Sequence, residues 1–301
     1  MAIDRADDGD TPEGEPTLSD RYEAAPLRDP LERAAEHAKY RANVESASAE
    51  STARDSWAEA VPGLLSTWEE HVARYPEQER PTPRNQPDGS WVADGDRKLT
   101  PEQNADATKA YSDIREEGEE AILPAMRRVE VTDPERQLAG LENMIKGEDR
   151  LKEKIAERLR YHPDLTARQA AAEVPDAVRF TLTYSETHYS NGVPADVDQL
   201  KSEGFELIKL KNLWAKDQYK GVNSQWCRPE TGLRFEMQFH TPESLQAKEL
   251  THEAYERLRD PLTSKDEENE LEDYQRRVNA LIKLPPNVFE IQDYPPEKRD
   301  G

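Results

Sequence analysis

The sequence predicts an α+β fold, a mixed β-sheet flanked by helices, preceded by a helical and partly disordered N-terminal extension. Three observations predict it. Residues 233–240 alternate without a fault: Leu233, Phe235, Met237 and Phe239 are apolar, Arg234, Glu236, Gln238 and His240 polar. A strand sends successive side chains to opposite faces, so one face is a core face and the other a row of polar groups. The second observation is the order of textures after about residue 130, which reads α-β-α-β-β-β-α and suggests a mixed sheet with helices on one face. The third is composition. Hydrophobic and charged residues each make up 35% of 301 residues, and mean hydropathy is −1.02. That is too polar for one compact body, so a folded part with solvated or disordered parts is expected.

Residues 1–27 are acidic and rich in Gly and Pro, and read as a disordered tail. Residues 28–100 read as a helical extension ending in a Pro-rich linker. Its first helix starts at Asp29-Pro30. Its second carries Trp57, Leu64, Leu65, Trp68 and Val72 on one face, with Pro62 as a kink or break. The stretch 76–98 is a Pro/Gly-rich connection and the expected domain boundary, so a chain beginning near Thr100 is expected to fold and keep its chemistry. The main domain is placed at 101–285, and 286–301 is a tail. Thr100-Pro101 opens a helix as N-cap and N1 proline. Another helix is expected from about Thr132, broken near Gly147. "VPDAVRFTLTY" alternates as a strand. "YSNGVPADVDQLKSEG" is a helix ending at Gly204. "FELIKLKNLW", "YKGVNSQWC" and "LRFEMQFH" are three more strands. Thr241-Pro242 opens the next helix, and a last one spans about 265–283.

The formal net charge of −22 argues against a nucleic-acid coat, a DNA-binding role or an anionic-membrane binder. A single cysteine, Cys227, excludes a disulfide framework. No apolar run approaches a membrane span, and the acidic N-terminus is not a Sec-type signal. A cytoplasmic location is expected, with signal-free export left open.

Against this acidic background, Lys146, Arg150, Lys152, Lys154, Arg158 and Arg160 are concentrated in one segment. Lys146, Arg150 and Lys154 share a face if the helix is continuous. Such a stripe suits polyphosphate; taken alone, the segment better suits a solvated face paired with Glu148, Asp149, Glu153 and Glu157. Asp176, just before a strand, suits a Mg²⁺ ligand or a strand terminator. Tyr219 suits base stacking or a half-buried strand position, and Gly221 allows close backbone approach. Glu236 suits metal binding or proton acceptance, with Gln238 and His240 on the same face.

Taken in order, these pieces resemble the RelA/SpoT-type alarmone synthetase domain, a nucleotidyltransferase-like fold. The resemblance covers about residues 130–260. "KGEDRLKEK" stands for the family's basic helix, "DAVRF" for its Asp/Arg strand, "YKGVN" for its Tyr strand, "FEMQFHT" for its Glu-x-Gln strand and "ELTHEAY" for its closing helix. Several positions depart from the family. Met144 replaces an adenine-stacking Arg, Val174 stands at the usual Asp position, Gln218 replaces Gly, Asn223 replaces His and His240 replaces Arg. The chain is in this respect similar to the divergent stand-alone, toxin-like and nucleotide 3′-pyrophosphokinase branches.

The resemblance implies transfer of pyrophosphate from ATP to the 3′-hydroxyl of a purine nucleotide, GDP/GTP or an adenine nucleotide. It implies Mg²⁺ held by Asp176 and Glu236, and Glu236, Asp176 and Arg179 as catalytic residues. Nucleotide contacts fall to Lys146, Arg150, Lys154, Tyr219, Lys220, Asn223, Gln238 and His240. It leaves open a self-assembled or antitoxin-bound form. Two other readings stand beside it: an inactive nucleotide-sensing or protein-binding module, and a toxin that pyrophosphorylates the 3′ end of tRNA.

Overall fold

The computed structural model describes residues 56–76, 82–93, 97–260 and 262–296. The expected acidic tail and the helix starting at Asp29-Pro30 lie outside the described residues.

Helix α1 (Ser56–Arg74) leads into three two-residue strands, β1 (Arg84–Asn85), β2 (Trp91–Val92) and β3 (Lys98–Leu99). Then come α2 (Pro101–Glu117), a π-helical turn (Gly118–Ile122), α3 (Leu123–Val131), β4 (Arg136–Ala139) and α4 (Glu148–Tyr161). The remaining elements are α5 (Ala167–Ala172), β5 (Arg179–Tyr184), α6 (Tyr189–Ser202), β6 (Glu206–Asn212), β7 (Val222–Cys227), β8 (Arg234–His240), α7 (Pro242–Leu258) and α8 (Lys265–Ala280). No described helix is long and apolar enough to cross a membrane.

The main sheet has five strands in the order β4-β5-β8-β7-β6. The β5/β8 pair is parallel; β4/β5, β7/β8 and β6/β7 are antiparallel. The apolar residues of β8 face the core as expected, with Phe235, Met237 and Phe239 fully buried beside Phe180, Leu182 and Tyr184 of β5. Helix α6 covers this face: Tyr189 Oη donates to the Phe239 carbonyl at 2.7 Å.

Three of the local start and stop signals act where they were read. Thr100 and Thr241 each close a reciprocal capping box, with Gln103 and Ser244. Gly204 follows α6 at φ +94°, a conformation other residues resist. The cap at Thr241 has a larger consequence. It ends β8 and sends α7 back over the polar face of the sheet, so the sheet carries helices on both faces rather than one.

Three readings are corrected. Residues from Thr132 do not open a helix. Arg136–Ala139 form the edge strand β4, with Leu138 opposite Leu182, and Gly140 then turns the chain at φ +65°. A four-residue strand between two helical textures carries too short a period to stand out. The helix therefore begins at Glu148, and Lys146 lies before it, in a short antiparallel bridge of Ile145 with Val178.

The Pro/Gly-rich connection is not only a linker. The strands β1, β2 and β3 pair as an antiparallel meander, and Trp91, Ala93 and Leu99 are buried in the same core as the main domain. Trp91 Nε1 donates to Asp149 Oδ1 at 2.9 Å.

Pro62 does not break α1, which runs through it. The helix is held by tertiary contacts with α7 and α8. Trp68 Nε1 donates to Glu253 Oε2 at 3.2 Å, Arg257 lies 5.5 Å from the Trp68 ring centre, and Arg257 donates to the Tyr75 carbonyl at 2.7 Å.

Candidate functional site

The polar row of β8 grows less exposed along the strand. The Glu236 side chain is 13% exposed, and Gln238 and His240 are buried. Buried polar groups need partners, and each of these has them. The parallel register sets Arg179 opposite Glu236, and Arg179 Nε donates to Glu236 Oε2 at 2.9 Å. Gln238 Nε2 donates to the other oxygen, Oε1, at 2.7 Å. Lys248, two turns into α7, donates to Gln238 Oε1 at 2.6 Å.

A second carboxylate joins from the loop before β5. Lys146 Nζ lies 2.9 Å from Asp176 Oδ2, and Arg179 Nη2 donates to the same oxygen at 3.3 Å. Burial alone would raise the Asp176 carboxyl. The charges of Lys146, Arg179 and Lys154 outweigh it and hold Asp176 below the usual carboxylate range. Arg179 thus bridges both carboxylates. Burial disfavours its charge, but Glu236 and Asp176 more than restore it.

Beside this line sits an aromatic group. Tyr219 Oη donates to Asn223 Oδ1 at 2.7 Å and lies 3.0 Å from His240 Nε2. The His240 ring is buried, and burial with the nearby Lys248 charge lowers its pKa to about 3. It is therefore a neutral imidazole near pH 7. On the other side of the ring, Nδ1 lies 2.9 Å from Ser244 Oγ. Burial and the Glu236 charge push the Tyr219 phenol well above its ordinary range. Gly221 is required here, because a Cβ at that position would stand 2.7 Å from the His240 ring. The loop before Tyr219 is anchored by Asn279 Nδ2, which donates to the Gln218 carbonyl at 2.9 Å.

The structure brings together Asp176, Arg179, Glu236, Gln238, Lys146, Tyr219, Asn223 and His240, with Lys154 close enough to act on Asp176. Two other positions stand apart. Arg150 pairs with Glu153 at 3.4 Å and is largely exposed. Lys220 is buried, with its ammonium on the Trp214 carbonyl at 3.2 Å and on the Lys216 carbonyl. Burial lowers its pKa to about 7, with Asp217 opposing.

Two members were not singled out from sequence, Lys248 and Ser244. Their signal was present. They are spaced by four on α7, starting three residues past the cap, so they share the face that the cap turns toward β8. Burial and Arg179 lower the Lys248 pKa to about 8, opposed by Glu236 and Glu249.

Among the described residues no cluster of three or more His, Cys, Asp or Glu side chains stands ready to hold a metal ion. Asp176 and Glu236, both bonded to Arg179, form a two-carboxylate set. That is the number Mg²⁺ takes when water and phosphate complete its shell.

No family model matches the chain, and no curated protein matches its sequence. Among solved structures it is similar to the small alarmone synthetase 1 of Bacillus subtilis, at 10% identity and a TM-score of 0.36, over 59% of this chain and 88% of that one. The same enzyme bound to its product pppGpp matches at 9% identity and 0.35, over 59% and 89%. The protein smu.1046c of Streptococcus mutans UA159 matches at 11% identity and 0.35, over 57% and 86%.

Proposed function

We propose that the protein is an ATP-dependent pyrophosphokinase whose acceptor is the 3′-hydroxyl of a purine nucleotide. One observation carries the reading. Two carboxylates and one arginine form a line from the loop before β5 across the parallel strands β5 and β8, flanked by Lys146 and Lys248 and ending beside Tyr219. Phosphoryl-type transfer needs little covalent chemistry from a protein. It needs positioned cations, a carboxylate near the attacking hydroxyl and a platform for the base.

In this reading the acceptor 3′-oxygen forms a bond to the β-phosphorus of ATP. The bond from that phosphorus to the α,β-bridging oxygen breaks, and AMP leaves. Lys146, Lys154 and Arg179 neutralise the phosphates. Tyr219 stacks on the acceptor base, its ring fixed by Asn223 and His240. Glu236 orients the 3′-hydroxyl and takes up its proton. Asp176 and Glu236 would hold Mg²⁺, which when bound supplies further charge neutralisation on the phosphates.

The test is incubation of the protein with γ-labelled ATP and Mg²⁺ plus GDP, GTP, ADP or deacylated tRNA in turn, followed by chromatography. Label on a guanine or adenine nucleotide is the expected result. Label on tRNA alone would establish the RNA-directed reading instead, and no transfer with measurable nucleotide binding would establish a sensing module.

A further inference from the structure

Lys248 belongs to no motif that suggested the site, yet it ends the hydrogen-bond line that runs through it. The line has three bonds. Lys248 Nζ donates to Gln238 Oε1 at 2.6 Å, Gln238 Nε2 donates to Glu236 Oε1 at 2.7 Å, and Arg179 Nε donates to Glu236 Oε2 at 2.9 Å.

The chemistry of the first bond decides the second. An ammonium has three donors and no acceptor, whereas a glutamine amide has one end of each kind. Facing Lys248, the Gln238 side chain must present its oxygen. Its NH₂ is then turned toward Glu236, where it meets a carboxylate, an acceptor only. A flipped amide would set NH₂ against ammonium and carbonyl against carboxylate, two repulsive contacts in a buried place. Gln238 is 4% exposed, so water is a poor substitute for either partner.

The second bond decides the carboxylate. Each Glu236 oxygen has its own donor, Gln238 on one side and Arg179 on the other. These donors come from β8 itself and from β5. The third support, Lys248, comes from α7, whose direction the Thr241 cap fixes.

We infer that Lys248 is a positioning residue for Glu236, acting through the orientation it imposes on the Gln238 amide; this rests on the reading of Glu236 as the group that orients the attacking hydroxyl. A carboxylate held at both oxygens is pre-set for that task, and one held by Arg179 alone is free to rotate about its last bond. Supporting side chains of this kind typically contribute about 10–100-fold to the function of the group they hold. Lys248 need touch neither ATP nor the acceptor to act in this way.

The experiment combines kinetics with a readout that needs no turnover. Lys248→Met and Lys248→Gln remove the donor-only group, and Lys248→Arg keeps one. For the nucleotide acceptor, Met and Gln variants are expected to lower kcat by about 10–100-fold while the KM for ATP stays within about threefold. The Arg variant is expected to recover most of the loss. In parallel, selective ¹⁵N labelling of glutamine follows the Gln238 side-chain amide, assigned by its disappearance in Gln238→Glu. Its protons should exchange with solvent about tenfold faster in Lys248→Met than in the unaltered protein, and should be restored in Lys248→Arg. Unchanged exchange in both Met and Gln variants would overturn the inference. So would an unchanged kcat with a large rise in the KM for ATP, which would make Lys248 a phosphate contact. If no nucleotide is pyrophosphorylated by any form while the exchange responds as expected, the proposed function fails and the positioning of the Gln238–Glu236 pair stands.

Discussion

Arg179 and Glu236 stand opposite one another on parallel strands, 57 residues apart in sequence, with Arg179 Nε 2.9 Å from Glu236 Oε2. Their pairing joins the two carboxylates of the site, because the same guanidinium also reaches Asp176. Glu236→Gln keeps the shape and the apolar face of β8 and removes one charge. Transfer is expected to fall by at least about 100-fold, while circular dichroism shows a folded protein. Turnover like that of the unaltered protein, with the same Mg²⁺ dependence, would remove Glu236 from the chemistry.

Tyr219 has two separable parts. Its hydroxyl is held by Asn223 and His240, and its ring is the proposed platform for the acceptor base. Tyr219→Ala should raise the KM of the acceptor far more than that of ATP, since stacking of a base on an aromatic ring is worth about 1–3 kcal/mol. Tyr219→Phe keeps the ring and should show the smaller effect. Steady-state kinetics with each substrate varied in turn checks both, and an equal change for the two substrates would make Tyr219 structural.

His240 gives a pH dependence of stability with a definite sign. Its folded-state pKa, about 3, lies below the ordinary value of 6.5. Between these values the unfolded chain binds a proton that the folded chain refuses, so stability falls as pH falls. The contribution is fully present above pH 6.5 and is lost progressively toward pH 3. Urea unfolding at pH 7, 6, 5 and 4 should show the unaltered protein losing roughly 1 kcal/mol per pH unit more than His240→Asn below pH 6.5. Parallel pH profiles would place the imidazole outside the buried network.

The meander moves the expected N-terminal boundary. A chain beginning at residue 100 loses Trp91, which is fully buried and bonded to Asp149. Losing such a side chain from a core costs about 3–5 kcal/mol. A chain beginning at residue 82 keeps the meander and gives up only the docked α1 and what precedes it. Thermal melts should rank the full chain and the 82 form well above the 100 form. Equal melting of the 82 and 100 forms would return the boundary to Thr100.

The sequence by itself determined which faces of β5 and β8 turn to the core, where α2 and α7 start, where α6 stops, and which residue types crowd the site. Alternation at 233–240, the Thr-Pro caps and the glycine after α6 are local signals, and local signals suffice because a strand's period and a cap's geometry span only a few residues. Together with the resemblance they pointed to Asp176, Arg179, Tyr219, Asn223, Glu236, Gln238 and His240. Only the tertiary structure decided who meets whom. The parallel register that sets Arg179 against Glu236 joins strands separated by a helix and a hairpin, and no period in either strand encodes it. The inclusion of Trp91 in the core, the edge strand at Arg136–Ala139 and the reach of Lys248 to Gln238 have the same origin. Each depends on the direction in which one packed element is laid across another. That direction follows from burial of the whole apolar surface rather than from the residues of the element itself.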